Sequence, residues 1–371
     1  MDFGGLVFLG GILTYVGVIV YLANQIDAAQ HIQTPPVYHA SPGRPAVTGG
    51  GLPRETLLRW LLYGLIIMMF VLGLAVLQTA FFQGAAVELQ QEQPAAALPP
   101  ISITDGIALF VVSLIASYVS LRLIISNTSR EWLQRLLQRW GGRFDPASQV
   151  HLVAAVLMLA VVVYVLANFV LQGGVEGVAA GIEENGVQAG DIVFQAALEV
   201  VITFLGVGLA IRRRWSETMQ RLGLRIPTRE DVLWGFGMGL AFLVFMLVFN
   251  LIWAAVTSPE LLEQQTSAAQ NLNMAFSTIP LAFVLASSAA LGEEIWIRGG
   301  LQPVFGIGIS SVFFAILHIQ VAFTPATLLI LVVSLGLGWL RQRHSTVAAI
   351  VAHFCFNFVQ LAILALAVEA V

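Results

Sequence analysis

The sequence predicts an all-α, multipass transmembrane helical bundle of about ten spans, and three observations predict it. Of 371 residues, 58% are apolar and only 10% are charged, against about 25% charged in an ordinary soluble domain. The apolar residues fall in long unbroken runs, not in the short alternating segments of a membrane β-barrel. The basic residues fall between alternate runs, as they do in loops on one membrane face. High hydropathy, with a mean of +0.86, excludes a disordered chain. The net charge of −4 gives no electrostatic footing for nucleic acid. A single cysteine, Cys355, excludes an intramolecular disulfide and any Cys-based metal cluster; it reads as a small core residue.

Crossing ~30 Å of hydrocarbon takes about 20 helical residues. That ruler places spans near 3–25, 57–81, 103–126, 150–173, 192–211, 232–257, 276–296, 304–323, 326–341 and 346–367. Only Asp2 precedes the first run, which therefore lacks the basic start of a signal peptide. Residues 1–26 are read as a retained N-terminal transmembrane helix. Residues 27–56, with PP, SPGRP and TGGG, read as a Pro/Gly-rich cytoplasmic linker. Residues 57–257 hold membrane helices to which the sequence assigns no role, and 275–367 form a distinct C-terminal unit.

All seventeen basic residues are Arg. In the ten-span arrangement every one falls on the same face. The opposite loops, near 82–102, 174–191 and 258–275, carry acidic residues but no Arg. Arg-rich loops mark the cytoplasm, so both termini are expected outside the cytoplasm of a cell membrane. Segment 130–140, REWLQRLLQRW, reads as an amphipathic helix lying in the interface.

Charged groups inside a bilayer are costly and line cavities or pair with one another. Glu199 in the fifth span reads as a structural carboxyl. The last quarter of the chain is different: Glu293, Glu294, Arg298, His318, His353 and Asn357 interrupt otherwise apolar runs. Glu294 and Arg298 are four residues apart and share a helix face, as do His353 and Asn357; Phe314 and His318 repeat the step. Converging, these groups would supply a carboxylate to deprotonate water, an imidazole to hold it and donors for a developing oxyanion. The same groups would equally serve as a polar network that fixes helix register in a transporter or scaffold. Glu293 falls near the Arg-bearing end of the seventh span, whereas His318 lies fourteen residues beyond Val304, about 21 Å along a straight helix. The two depths agree only if the eighth span tilts or starts late. HExxH, GxSG, GxGD, P-loop and dinucleotide motifs are absent from the sequence.

GEEIWIRGGLQP (292–303), FAILH (314–318) and HFCFN (353–357) resemble, in order, the EExxxR, FxxxH and HxxxN/D motifs of the CPBP intramembrane protease family, also called Abi or CAAX-protease-like. The resemblance covers about 275–367. Two departures are minor: Ile297 stands where many members have Phe, and Gly299–Gly300 is a doubled glycine. The resemblance implies a four-helix catalytic core and an endopeptidase acting on a peptide or membrane-protein substrate within the lipid bilayer. It implies that Glu293 activates water with help from His318, that Glu294 and Arg298 support it, and that His353 and Asn357 stabilise the oxyanion. Family members are tied to cleavage of prenylated CAAX proteins, bacteriocin maturation, self-immunity and scaffolding, so a non-catalytic scaffold or immunity protein is the alternative. The family is described both as metalloprotease and as glutamate-dependent without metal. A divalent ion such as zinc would take Glu293, His318 and His353; the ready role of Asn357 and the second His without an ion favours no obligatory metal.

Overall fold

The structure, a computed structural model, describes residues 3–32, 53–88 and 99–369. Most of the expected linker 27–56 lies outside the described residues; 27–32 continue the first helix. Among the described residues every regular element is helical: α1 (Phe3–Ile32), α2 (Arg54–Glu88), α3 (Ile103–Ile125), α4 (Asn127–Gln138), α5 (Gln149–Leu171), α6 (Gly174–Asn185), α7 (Ala189–Gly206), α8 (Trp215–Leu222), α9 (Arg229–Val256), α10 (Pro259–Ala275), α11 (Ile279–Glu293), α12 (Gln302–Leu317), α13 (Ala326–Arg343) and α14 (Thr346–Glu369). A π-helical stretch, Glu294–Leu301, joins α11 to α12 without a gap.

The starts of these helices follow from short polar side chains that accept otherwise orphaned backbone N–H groups. Ser102 caps α3, Ser148 caps α5, Ser258 caps α10 and Thr278 caps α11. Thr228 and Asp231 form a reciprocal capping box on α9. Large apolar side chains such as Leu247, Leu251, Ile252 and Val256 of α9 lie exposed. Such a surface suits lipid and not water.

α2 packs along α3, α9 along α14, and α11 lies between α7 and α14. Ile19 and Ala23 of α1, Leu62 of α2, Val156 of α5 and Phe305 and Phe313 of α12 share one buried cluster. The N-terminal helices thus pack directly onto the segment that carries the family-like motifs.

Nine helical runs among the described residues are long and apolar enough to cross a membrane. The difference from ten arises at the expected spans 276–296 and 304–323, which fall in one continuous run, Ile279–Leu317. The run is broken only at Gly306, with φ 79° and ψ 169°, a backbone region open essentially to glycine. There the chain reverses. Gly306 is wedged against the loop after α4: Ile307 N donates to Trp140 O at 3.1 Å, and Arg143 N donates to Pro303 O at 3.1 Å. The result is a helical hairpin with a full-length arm and a short return. Parallel to the first arm runs α13: Arg298 pairs with Ser334 and Gln302 Nε2 donates to Gly338 O at 2.8 Å.

The hairpin resolves the depth conflict in the sequence. Glu293 is not near a span end, because the helix runs on through the π-helical stretch to the turn at Gly306. Glu294 and His318 each lie twelve residues from Gly306, and Arg298 and Phe314 each lie eight. Partners are therefore level across the hairpin, Glu294 and His318 about 18 Å in from the turn. Replacing Gly306 with Ala puts a Cβ 2.4 Å from Trp140 O in a forbidden backbone region. We expect it to lower stability by ~1–3 kcal/mol, read as the thermal midpoint of detergent-solubilised protein. Gly237→Ala, whose Cβ meets nothing within 4 Å, is the control and should be neutral or stabilising.

The expected outer loops 174–191 and 258–275 contain helices α6 and α10. They pack on each other through Val178, Ala179 and Ala268, and Asn271 Nδ2 donates to Ala179 O at 3.1 Å. Together they cover the one-turn 3₁₀ helix Ile319–Val321 that follows His318. The amphipathic stretch at 130–140 forms α4 and its exit turn, with Trp132 and Trp140 exposed.

Candidate active site

Each motif occupies a local backbone irregularity. GEEIWIRGGLQP spans the junction from α11 into the π-helical stretch, a wide turn found mostly at functional sites. Pro303 has no N–H to offer the carbonyl of Gly299. Arg221 supplies the missing donor: its Nη1 donates to Gly299 O at 2.9 Å and its Nη2 to Gly300 O at 3.4 Å. FAILH ends α12, with His318 leaving helical geometry at φ −85°, ψ 67°. HFCFN lies inside α14, about 10 Å beyond Thr346. The start of α14 is tied to the α8–α9 connection: Ser345 Oγ donates to Asp231 Oδ1 at 2.7 Å and Thr346 Oγ1 to Leu222 O at 2.5 Å.

These elements bring four of the six groups into direct contact. Arg298 Nε lies 3.2 Å from Glu294 Oε2, and both side chains are wholly buried. Arg298 Nη2 also donates to Ser334 Oγ at 3.1 Å and Ser334 O at 3.3 Å. Its guanidinium sits over the Phe314 ring, 4.8 Å from the centroid, a cation–π contact. On its other oxygen, Glu294 Oε1 is 2.9 Å from His353 Nδ1. The opposite ring nitrogen, His353 Nε2, faces Glu293 Oε2 at 4.0 Å. Arg298, Glu294, His353 and Glu293 thus form a chain.

The two adjacent glutamates differ sharply. Glu294 is fully buried and paired on both oxygens, whereas the Glu293 side chain is 24% exposed. Glu293 Oε2 has no hydrogen-bond partner. Held between Glu294 and Glu293, the imidazole of His353 carries a proton on Nδ1 and presents Nε2 to Glu293. Asn357, one turn further along α14, is half-buried and its amide makes no hydrogen bond among the described residues. His318 Nδ1 is 2.9 Å from Phe314 O, so the proton resides on Nδ1 and Nε2 is an acceptor. The Phe314 ring lies 4.5 Å from the His318 ring and 6.1 Å from that of His353. No hydrogen bond or ion pair joins His318 to Glu293.

For a metal, the relevant set is Glu293, His318 and His353. Among the described residues no three His, Cys, Asp or Glu side chains group closely enough to hold an ion. Each imidazole donates Nδ1–H to an acceptor, Phe314 O for His318 and Glu294 Oε1 for His353, and keeps Nε2 open. No step below passes through an ion.

Sequence reasoning did not assign three neighbours to the site. Arg221 lies on α8, 78 residues before Gly299. Ser334 is one small polar residue in an apolar helix. Glu199, read as a structural carboxyl, lies against the motif: a Cβ on Gly292 would come within 2.6 Å of Glu199 Oε2, and Gln195 Nε2 donates to Glu199 Oε1 at 3.0 Å. Its intramembrane position was the available signal. The apolar cleft of about 500 Å³ near Trp132, Met158 and Ile309 contains none of the site residues.

The fold defines a multipass helical membrane protein with a polar centre inside its apolar bundle. Residues 275–359 match the family model described as Type II CAAX prenyl endopeptidase Rce1-like, in agreement with the resemblance of this segment to the CPBP/CAAX protease family. The family is one of membrane-embedded proteases. No curated protein and no solved structure matches the chain.

Proposed function

We propose that this protein is an intramembrane endopeptidase of the CAAX type, in which Glu293 activates the attacking water and His353 with Asn357 receives the oxyanion. The observation that carries this reading is the asymmetry of the glutamate pair. Glu294 is occupied by Arg298 and His353; Glu293 is partly exposed, lacks a hydrogen-bond partner and faces the imidazole. A water between Glu293 and the substrate carbonyl gives its proton to Glu293 as its oxygen bonds the carbonyl carbon. The carbonyl oxygen gains negative charge and accepts from the Asn357 amide and from a protonated His353 Nε2. The C–N bond then breaks, and the proton held by Glu293 passes to the leaving amine. The acceptor Nε2 of His318 accepts a hydrogen bond from the water's second O–H, which fixes its orientation. Glu294 and Arg298 touch no reacting atom and act by positioning His353.

The reading is tested by release of the C-terminal tripeptide from a prenylated CAAX peptide. Purified protein should cleave it, and His353→Ala or Asn357→Ala should each lower kcat/KM by ~10²–10³, the scale of one lost oxyanion donor. Asn357→Ala removes no hydrogen bond within the protein, so it should leave the thermal midpoint in place. Wild-type cleavage rates in both variants would refute the oxyanion assignment.

A further inference from the structure

The one-sided Arg residues and the doubled Gly299–Gly300 are not used by the proposed chemistry, and they meet in space. Arg212 and Arg213 follow α7, Arg221 lies on α8 and Arg341 lies in the last turn of α13. The Arg221 charge lies within electrostatic reach of Arg212, Arg213 and Arg341. Two carboxylates stand nearby, and both are engaged. Asp27 accepts from Ser148 Oγ at 2.6 Å and Gln149 N at 2.7 Å, and reaches Arg212 only at 3.5 Å. Glu217 accepts from Arg214 N at 2.7 Å.

Donors remain unused. Arg212 Nε and Arg341 Nε are buried without a hydrogen-bond partner. The Arg341 guanidinium packs on Gly223, where a Cβ would lie 2.5 Å from its Cζ, and it makes no hydrogen bond or ion pair among the described residues. The Arg212 side chain is only 13% exposed. Burial and mutual repulsion lower the guanidinium pKa of Arg212 and of Arg221 to about 10, so both still carry charge at neutral pH. Four cations are gathered against two committed carboxylates, beside the ends of spans at Gly206, Arg229 and Arg343, which is headgroup depth.

We propose that Arg212, Arg213, Arg221 and Arg341 form a binding site for a phosphate group, supplied by the headgroup of an anionic phospholipid in the adjoining leaflet. Guanidinium groups suit phosphate oxygens by geometry and charge. A bound phosphate would neutralise the crowding. It would also steady Arg221 on the carbonyls of Gly299 and Gly300, the residues that follow Arg298 in the π-helical stretch.

The test needs no enzymatic readout. The full chain is reconstituted in phosphatidylcholine vesicles, with and without phosphatidylglycerol. Lipid retained after extraction is measured by native mass spectrometry, alongside the thermal midpoint. Phosphatidylglycerol should be retained preferentially and raise the midpoint. Arg341→Gln should weaken that retention about five-fold, the equivalent of roughly 1 kcal/mol per basic residue, and Arg341→Lys should recover part of it. Arg135→Gln, on the exposed side of α4, should leave retention unchanged. If Arg341→Gln is not recovered folded, Arg213→Gln takes its place. Inorganic phosphate in neutral vesicles distinguishes the sources: a matching midpoint rise would assign the same site to soluble phosphate. Equal phosphatidylglycerol retention by wild type and the Gln variants, or no response of the wild type to either phosphate source, would overturn the proposal.

Discussion

Glu293→Gln should reduce peptide cleavage by ~10²–10⁴, the usual contribution of a positioned general base, and leave the protein folded and inserted. The substitution keeps size and hydrogen-bonding reach but removes the basic oxygen. The structure makes the separation of activity from stability unusually clean. Glu293 makes no hydrogen bond through Oε2, which faces His353 Nε2 at 4.0 Å. Replacing an ionisable group inside the bilayer with a neutral one should hold the thermal midpoint or raise it. Cleavage of the prenylated peptide and thermal unfolding in detergent are measured on the same preparation. A variant that still cleaves at the wild-type rate removes Glu293 from the mechanism, though not the fold. A scaffold or immunity protein gives the opposite pattern: biological function survives Glu293→Gln and is lost when packing is disrupted.

Arg298→Ala should fail in a different way, losing stability and activity together. Arg298 is wholly buried, and its guanidinium meets Glu294, Ser334 and the Phe314 ring at once. Its removal strands the Glu294 carboxylate in an apolar interior, a change that costs about 3–5 kcal/mol for buried pairs. Glu294 then no longer holds His353 Nδ1 in a fixed orientation, so residual activity should also fall. Arg298→Lys separates the two effects. It restores a positive charge but not the planar fork that reaches Ser334, so it should recover part of the stability and little of the geometry. An Arg298→Ala protein with an unchanged midpoint would refute the pairing.

Much of the fold was legible because hydrocarbon thickness dictates run length, and hydropathy reports it directly. The motif pairs were legible for the same kind of reason: a spacing of four fixes a helix face, and Glu294 does meet Arg298. His353 and Asn357 likewise follow one another on α14. What was hidden depends on contacts distant in sequence. Residues 297–303 fell between two expected spans, yet the backbone continues there as a π-helix, with Arg221 donating to the carbonyls of Gly299 and Gly300. The true break, Gly306, looks like any glycine in an apolar run, because its positive φ is set by the loop at Trp140. Helices α6 and α10 were read as loops, because glycines at 174, 177 and 181 weaken one and a polar composition marks the other. Phe314 and His318 share a face as their spacing requires, with ring centroids 4.5 Å apart; what the spacing did not reveal is that the imidazole also turns back onto the Phe314 carbonyl where α12 ends.

The turn at Gly306 bears on how the two halves of this chain are inherited together. Two main-chain hydrogen bonds, from Ile307 to Trp140 and from Arg143 to Pro303, stitch the family-like hairpin to a loop more than a hundred residues earlier. Those bonds use backbone atoms, and the path they need is kept by Gly142, where a Cβ would lie 2.8 Å from Val304 O, and by the buried ring of Phe144. A gene fusion that grafted residues 275–359 onto a foreign set of membrane helices would discard the mould in which the reversal is cast. The recognisable segment is in that sense the lettered half of a hinge whose blank half is equally indispensable.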